Sequence, residues 1–347
     1  MRLDRSGAFG KVGIVGGGAW GTALAAIMAR TGARITLWAR EGEVVKAINT
    51  SHENTRFLPG VKLSALIRAT NDFAEMAECP IVFMAPPAKA MRMVASALAP
   101  HLSGGAFCVI CTKGIEQGTA RFMSEILAKT LPQAEPMVLS GPSFAADAAR
   151  GLPVAVTLAA RSLDTARRVA RSLCGPCFRP YLSDDLLGAQ IGGAVKNVLA
   201  IACGIVEGRE LGASARAALT ARAFAELSRF GAALGARPET LTGLCGLGDL
   251  ILTCSSPLSR NMSLGIAIGR GRSVGDVLSE RHTVSEGVYT AGAVMQIARG
   301  RGVEMPICEA VHRIVTQEDS IDTIMEQLLN RPLREETGGS GFSNSQA

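Results

Sequence analysis

Aromatic side chains are scarce in this chain, at 4% of 347 residues, and the basic side chains form no continuous stripe. Proteins that hold nucleic acid by stacking and charge need both features, so no nucleic-acid partner is expected. Charge is thin as well: 36 basic side chains stand against 30 acidic ones, a scattered balance of +6 that suits a small anionic ligand. An even set of cysteines is also missing. Nine is an odd number, which fits a reducing compartment better than a disulfide framework.

Long hydrophobic runs of the membrane type are lacking too. Val12–Ala29 carries no charge and follows Arg2, Arg5 and Lys11, which imitates a signal peptide or a span, yet five of its eighteen residues are Gly. It reads instead as a soluble strand, turn and helix, so a cytoplasmic protein without membrane insertion is expected. Two C-x-x-C pairs remain. Cys174-Gly175-Pro176-Cys177 copies the thioredoxin motif, but Leu173 stands where an aromatic normally precedes it and no thioredoxin-like order of elements surrounds it. Cys108-Val109-Ile110-Cys111 lies in an apolar run that reads as a buried strand, where positions three apart face opposite ways. Both pairs are expected to be buried or incidental thiols, and no metal site is expected.

What is present is apolar material, 48% of a chain long enough for two domains. Short apolar strands at Val12–Val15, Arg34–Trp38, Ile81–Ala85, Phe107–Cys111, Met137–Ser140 and Val154–Leu158 alternate with helical patterns, as in a parallel sheet wound with helices. From about Asp184 the strands cease and helical segments such as Ser214–Leu234 follow. The expected domains are therefore 11–183 for dinucleotide binding and 184–334 for a helical substrate domain. Residues 1–10 read as a short tail and 335–347 as a disordered one.

Gly16-Gly17-Gly18-Ala19-Trp20-Gly21 satisfies G-x-G-x-x-G between the first strand and a helix that runs to about Arg30, with Gly32 as its stop. Gly16 permits the tight turn, Gly18 lets a pyrophosphate approach the backbone, and Gly21 lets helix and strand pack closely. The amides of the helix start, Trp20 among them, then face the anion. This context makes the first half a Rossmann-type doubly wound sheet, in an α/β protein with an all-helical C-terminal domain. The second strand ends at Arg40, where NAD-binding proteins usually offer an acid to the ribose; Arg40 favours a 2′-phosphate, hence NADP over NAD, with NAD possible.

A second feature is Gly192-Gly193-Ala194-Val195-Lys196-Asn197, where Lys196 is the only charge between Ile191 and Val206. Such a lysine either snorkels to the surface or is desolvated for chemistry. Four patches accompany it. Thr112-Lys113-Gly114 and Ser140-Gly141-Pro142-Ser143-Phe144-Ala145 each follow a strand, at the sheet edge where such folds bind ligands. Gly246-Leu247-Gly248-Asp249-Leu250 and Pro257-Leu258-Ser259-Arg260-Asn261 add a carboxylate, a guanidinium and an amide from the helical half.

Together G-G-G-A-W-G-T-A-L, C-T-K-G-I-E, S-G-P-S-F-A, G-G-A-V-K-N, G-L-G-D-L-I-L-T-C and L-S-R-N, with V-S-E-G at Val284–Gly287, resemble the bacterial NAD(P)-dependent glycerol-3-phosphate dehydrogenase family from the glycine turn to about Arg334. The resemblance implies reduction of dihydroxyacetone phosphate to glycerol 3-phosphate for phospholipid synthesis, in a homodimer. It implies Lys196 as proton donor and acceptor, with Lys113 and Asp249 beside it. Desolvation and Lys113 should lower the Lys196 pKa, and Asp249 should oppose the fall. Substrate would meet Lys113, Gly141, Ser143, Lys196, Asp249, Ser259, Arg260 and Asn261, the last two at its phosphate. Cofactor would be bordered by Lys113, Ala145, Arg260, Val284 and Glu286 as well as the glycine turn. Two departures stand out: Ala19 where the family often has Ser, and Pro86-Pro87 where it often has Pro-Ser.

Overall fold

The computed structural model describes residues 9–281 and 284–332. Both expected tails fall largely outside them, with one correction: Phe9 is buried and meets Phe107 edge-on at 6.1 Å, so it belongs to the core.

Eight strands form one sheet: β1 (Lys11–Val15), β2 (Arg34–Trp38), β3 (Ile67–Thr70), β4 (Ile81–Met84), β5 (Phe107–Ile110), β6 (Glu135–Ser140), β7 (Val154–Ala160) and β8 (Phe178–Ser183). Their order is β3-β2-β1-β4-β5-β6-β7-β8. Six helices accompany them: α1 (Ala19–Ala29), α2 (Gly42–Ser51), α3 (Met91–Leu98), α4 (Met123–Thr130), α5 (Ala145–Arg150) and α6 (Leu163–Leu173). The order reverses between β1 and β4, which opens a crevice beyond their C-terminal ends. Nearly continuous Val, Ile, Phe and Met in β1, β4 and β5 fit strands covered on both faces.

The sheet is not wholly parallel, as the alternation had suggested. β7 pairs antiparallel with β6, and β8 then runs parallel to β7. The six-residue α5 turns the chain round near the end of β6 and does not carry it back across the sheet. Cys108 and Cys111 are buried on opposite faces, as their spacing requires; burial pushes the Cys108 thiol up to about 12 and the Cys111 thiol higher. The other pair is not buried: Cys174 is exposed and Cys177 half-buried, because their turn leads into β8 at the sheet edge.

After Asp185 the described residues are helical: α7 (Leu186–Gly208), α8 (Gly212–Ala233), α9 (Pro238–Thr242), α10 (Asp249–Ser255), α11 (Arg260–Gly269), α12 (Val274–Ser279), α13 (Glu286–Arg301), α14 (Pro306–Val315) and α15 (Ile321–Leu329). Asp185 caps α7 by accepting from Gly188 N at 2.8 Å, and its other oxygen accepts from Arg237 N. α7 is apolar on every side and is the axis of this half. It is long and apolar enough to cross a bilayer, yet 89% of its most apolar window is buried inside the protein. At four glycines its crossing with α11 brings bare backbone onto backbone. Cβ atoms at Gly204 or Gly265 would run into the facing carbonyls of Met262 and Ile201, and Gly208 and Gly269 repeat the contact one turn on.

Candidate active site

The glycine turn follows β1 directly. Gly16 has φ 123° and donates its N–H to Trp38 O at 2.9 Å, and a Cβ there would press on the Ala85 carbonyl at 2.7 Å. Gly21 faces the Gly16 carbonyl oxygen, which brings α1 onto the strand, whereas a Cβ on Gly18 would meet open space. No side chain caps α1 and no acid lies in its first turn, so its leading amides remain free for an anion. Asn54 secures the turn from outside, donating to Gly17 O and Thr22 Oγ1, both at 2.8 Å. The Trp20 Nε1 group is buried without a partner among the described residues. These features fit a dinucleotide pyrophosphate. Arg40 lies just past β2 with 78% of its side chain exposed, paired at 2.7 Å to Glu41.

The second cluster joins sheet to helices. Lys113, just past β5, donates to Gly141 O at 2.8 Å and to Asp249 Oδ2 at 2.7 Å. Lys196, in the middle of α7, donates to Asp249 Oδ1 at 2.5 Å and to Thr253 Oγ1 at 2.8 Å. It is 7% exposed, so it does not snorkel. Asp249 opens α10 straight after a π-helical turn at Leu244–Gly248, the kind of widened turn common at functional sites. Burial drives the Lys196 pKa down to about 8, Asp249 opposes the fall, and Lys113 adds to it. An ammonium so poised holds or yields a proton near neutral pH.

Around this cluster the remaining residues take distinct positions. Arg260 opens α11 with its side chain still reaching solvent; crowding by protein lowers its pKa and Glu286 opposes that shift. Ser259 uses its hydroxyl to cap α11 at Met262 N. Asn261 is buried in a relay: its amide donates to Asn197 Oδ1 at 2.9 Å and its carbonyl accepts from Gly287 N at 3.0 Å, leaving one N–H for a ligand. Glu286 accepts from Ala88 N at 3.1 Å, so the first donor after Pro86-Pro87 is already taken; burial raises its pKa. Ser143 donates to Gly141 O at 3.2 Å, and Ala145 and Val284 are half-buried. The hydroxyls of Ser140, Ser285 and Thr290 are buried without partners among the described residues.

Sequence reasoning missed Thr253 and Asn54. Thr253 follows Asp249 by one helical turn, a spacing that offered a signal; its hydroxyl donates to Asp249 O at 2.6 Å and so turns a lone pair to Lys196. Asn54 sits in an irregular loop with no pattern to mark it.

Two family models match the chain: NAD-dependent glycerol-3-phosphate dehydrogenase N-terminus over residues 11–166, and the C-terminus of the same over residues 185–326. The chain belongs to the NAD-dependent glycerol-3-phosphate dehydrogenase family. Glycerol-3-phosphate dehydrogenase (NAD(P)+) of Parvibaculum lavamentivorans is 56% identical to this dehydrogenase over 330 residues, covering 95% of this chain and 99% of that one. The Caulobacter vibrioides protein of the same name is 53% identical over 94% of this chain and 99% of its own. A crystal structure of glycerol-3-phosphate dehydrogenase from Coxiella burnetii superposes on this dehydrogenase with a TM-score of 0.89 at 35% identity, covering 94% of this chain and 100% of that one.

Proposed function

We propose that this dehydrogenase reduces dihydroxyacetone phosphate to glycerol 3-phosphate, the precursor for phospholipid synthesis, with Lys196 as the proton donor. The observation that carries the reading is the Lys113–Asp249–Lys196 bridge, which draws an ammonium of pKa about 8 to Lys113 at the C-terminal edge of the sheet. The nicotinamide supplies hydride to the carbonyl carbon when bound. Negative charge then develops on the carbonyl oxygen, and the Lys196 ammonium stabilises and protonates it. In the reverse direction the neutral amine takes the hydroxyl proton. Asp249 holds both lysines in place, and Thr253 orients the Lys196 amine.

Residues 11–183 hold the dinucleotide through Gly16, Gly18, Trp20 and Gly21, with Arg40 favouring the 2′-phosphate of NADP and Ala145, Val284 and Glu286 bordering the cofactor. Residues 184–334 bring substrate groups: Arg260 takes the phosphate by its planar fork, with the free N–H of Asn261 and the backbone of Ser259 beside it. Gly141 and Ser143 hold the glycerol part. The enzyme works in the cytoplasm, where nine free thiols fit a reducing compartment, and does so as a homodimer.

Steady-state oxidation of NADPH and NADH with dihydroxyacetone phosphate tests the activity. Arg260→Ala should raise KM for this substrate ten- to a hundredfold, about 1.5–3 kcal/mol for a charge-assisted contact. Phosphate-free dihydroxyacetone should react poorly with both proteins and lose little on mutation. Equal losses for the two substrates would move the phosphate contact away from Arg260.

A further inference from the structure

We propose that Cys174 and Cys177 are a modification site, closing to a reversible disulfide by exchange with a small anionic disulfide of the glutathione type. Seven of the nine cysteines are buried, and these two alone reach solvent. They bracket Gly175-Pro176, and the chain reverses there: Gly175 N donates to Phe178 O at 3.0 Å and Phe178 N returns the bond at 3.2 Å. That tight reversal sets Cys177 within the turn and Cys174 just before it, at the end of α6. A disulfide needs Cα atoms within about 4.4–6.8 Å, a span within reach of residues three apart on a bent chain.

Both cysteines line one cavity of about 440 Å³, a size that takes a small molecule. Arg30 and Arg171 line it too, and Arg30 is held by the Ala148 and Ala149 carbonyls. Two guanidiniums beside two accessible thiols select for a carboxylate-bearing partner. None of the catalytic cluster lines this cavity. In the exchange, the Cys174 thiolate attacks one sulfur of the small disulfide, whose S–S bond breaks and releases one thiol. The Cys177 thiolate then attacks the Cys174 sulfur and releases the second. The protein dithiol loses two electrons, the small disulfide gains them, and the two protons leave on the released thiols. Excess thiol reverses both steps.

The test is oxidised glutathione added to the folded protein, followed by alkylation and peptide mass mapping. Two of nine thiols should disappear, with the Cys174–Cys177 peptide lighter by two hydrogens and the other seven alkylated only after denaturation. Cys177→Ser should trap one glutathione on Cys174. A neutral disulfide should react several-fold more slowly, and Arg171→Ala should narrow that gap. No adduct on Cys174 in Cys177→Ser, or loss of buried thiols at the same rate, overturns the site; equal rates for charged and neutral disulfides overturn its anionic preference.

Discussion

Two carboxylates are almost wholly buried in the helical half, and they are answered differently. Asp249, at the start of α10, bridges the ammoniums of Lys113 and Lys196. Glu226, on α8, accepts from the backbone N–H groups of Ile307 and Cys308 at 2.6 and 3.2 Å, where α14 begins. A helix N-terminus is a fixed partial charge that cannot give up a proton, whereas a lysine can. So Glu226 fastens one helix to another, and Asp249 fastens two proton carriers. Burial alone does not distinguish a site from a strut; the chemistry of the answering group does.

The sharpest way to break this contrast is at Lys196. Lys196→Ala should lower kcat by about 10²–10⁴, the usual scale of acid–base catalysis. Asp249 keeps Lys113, so thermal melting and fluorescence titration with NADPH should change little. Near-wild-type turnover would place Lys196 with the struts.

Glu226→Gln should do the opposite, sparing turnover and altering stability. Burial raises the Glu226 pKa from 4.5 to about 7, so the native state keeps a proton that the unfolded chain has lost. Stability from this group is therefore fully present below pH 4.5 and falls as pH rises to about 7, on the order of 3 kcal/mol in all. Urea midpoints at several pH values should show that slope in the parent and not in the variant. A collapse of kcat in Glu226→Gln would erase the distinction.

The pH profiles sharpen it further. Dihydroxyacetone phosphate reduction needs the Lys196 ammonium and should fall tenfold per unit above about pH 8, while glycerol 3-phosphate oxidation needs the amine and should rise through the same region. Asp249→Asn removes the charge that holds this pKa up, so both limbs should move to lower pH. Profiles that stay in place would detach Asp249 from the proton.

The smallest effect belongs to a third kind of pair, exposed at its Arg40 end. Arg40→Asp should shift the NADPH/NADH ratio of kcat/KM towards NADH by only a few-fold, because solvent screens a side chain 78% exposed. An unchanged ratio would leave Arg40 as a loop charge.

Much of the first half was legible because strand patterns there coincide with burial: β2 has the expected bounds, and β1 and β4 differ by one residue. β3 was missed because four residues with an exposed Arg68 carry no period. β8 was missed because Pro180 and exposed positions disguise an edge strand. The direction of β7 was not legible at all, since periodicity is the same whichever way a strand runs. In the site, Lys196 announced itself by isolation, but its pairing with Asp249, 53 positions away, came only through resemblance. Accessibility of Cys174 depends on where an edge strand starts, which local composition does not record.

The crossing of α7 and α11 gives the enzyme fixed jaws. One helix carries Lys196 and the other begins with Arg260, and at Gly204, Gly208, Gly265 and Gly269 peptide lies against peptide with no side chain to yield. Rotamers cannot widen or narrow the gap at those four positions, so the spacing of the two helices that carry Lys196 and Arg260 is a gauge cut into the backbone. A methyl group added at Gly204 or Gly265 would spread the jaws without touching either tip. The set of the jaws is fixed by four missing side chains.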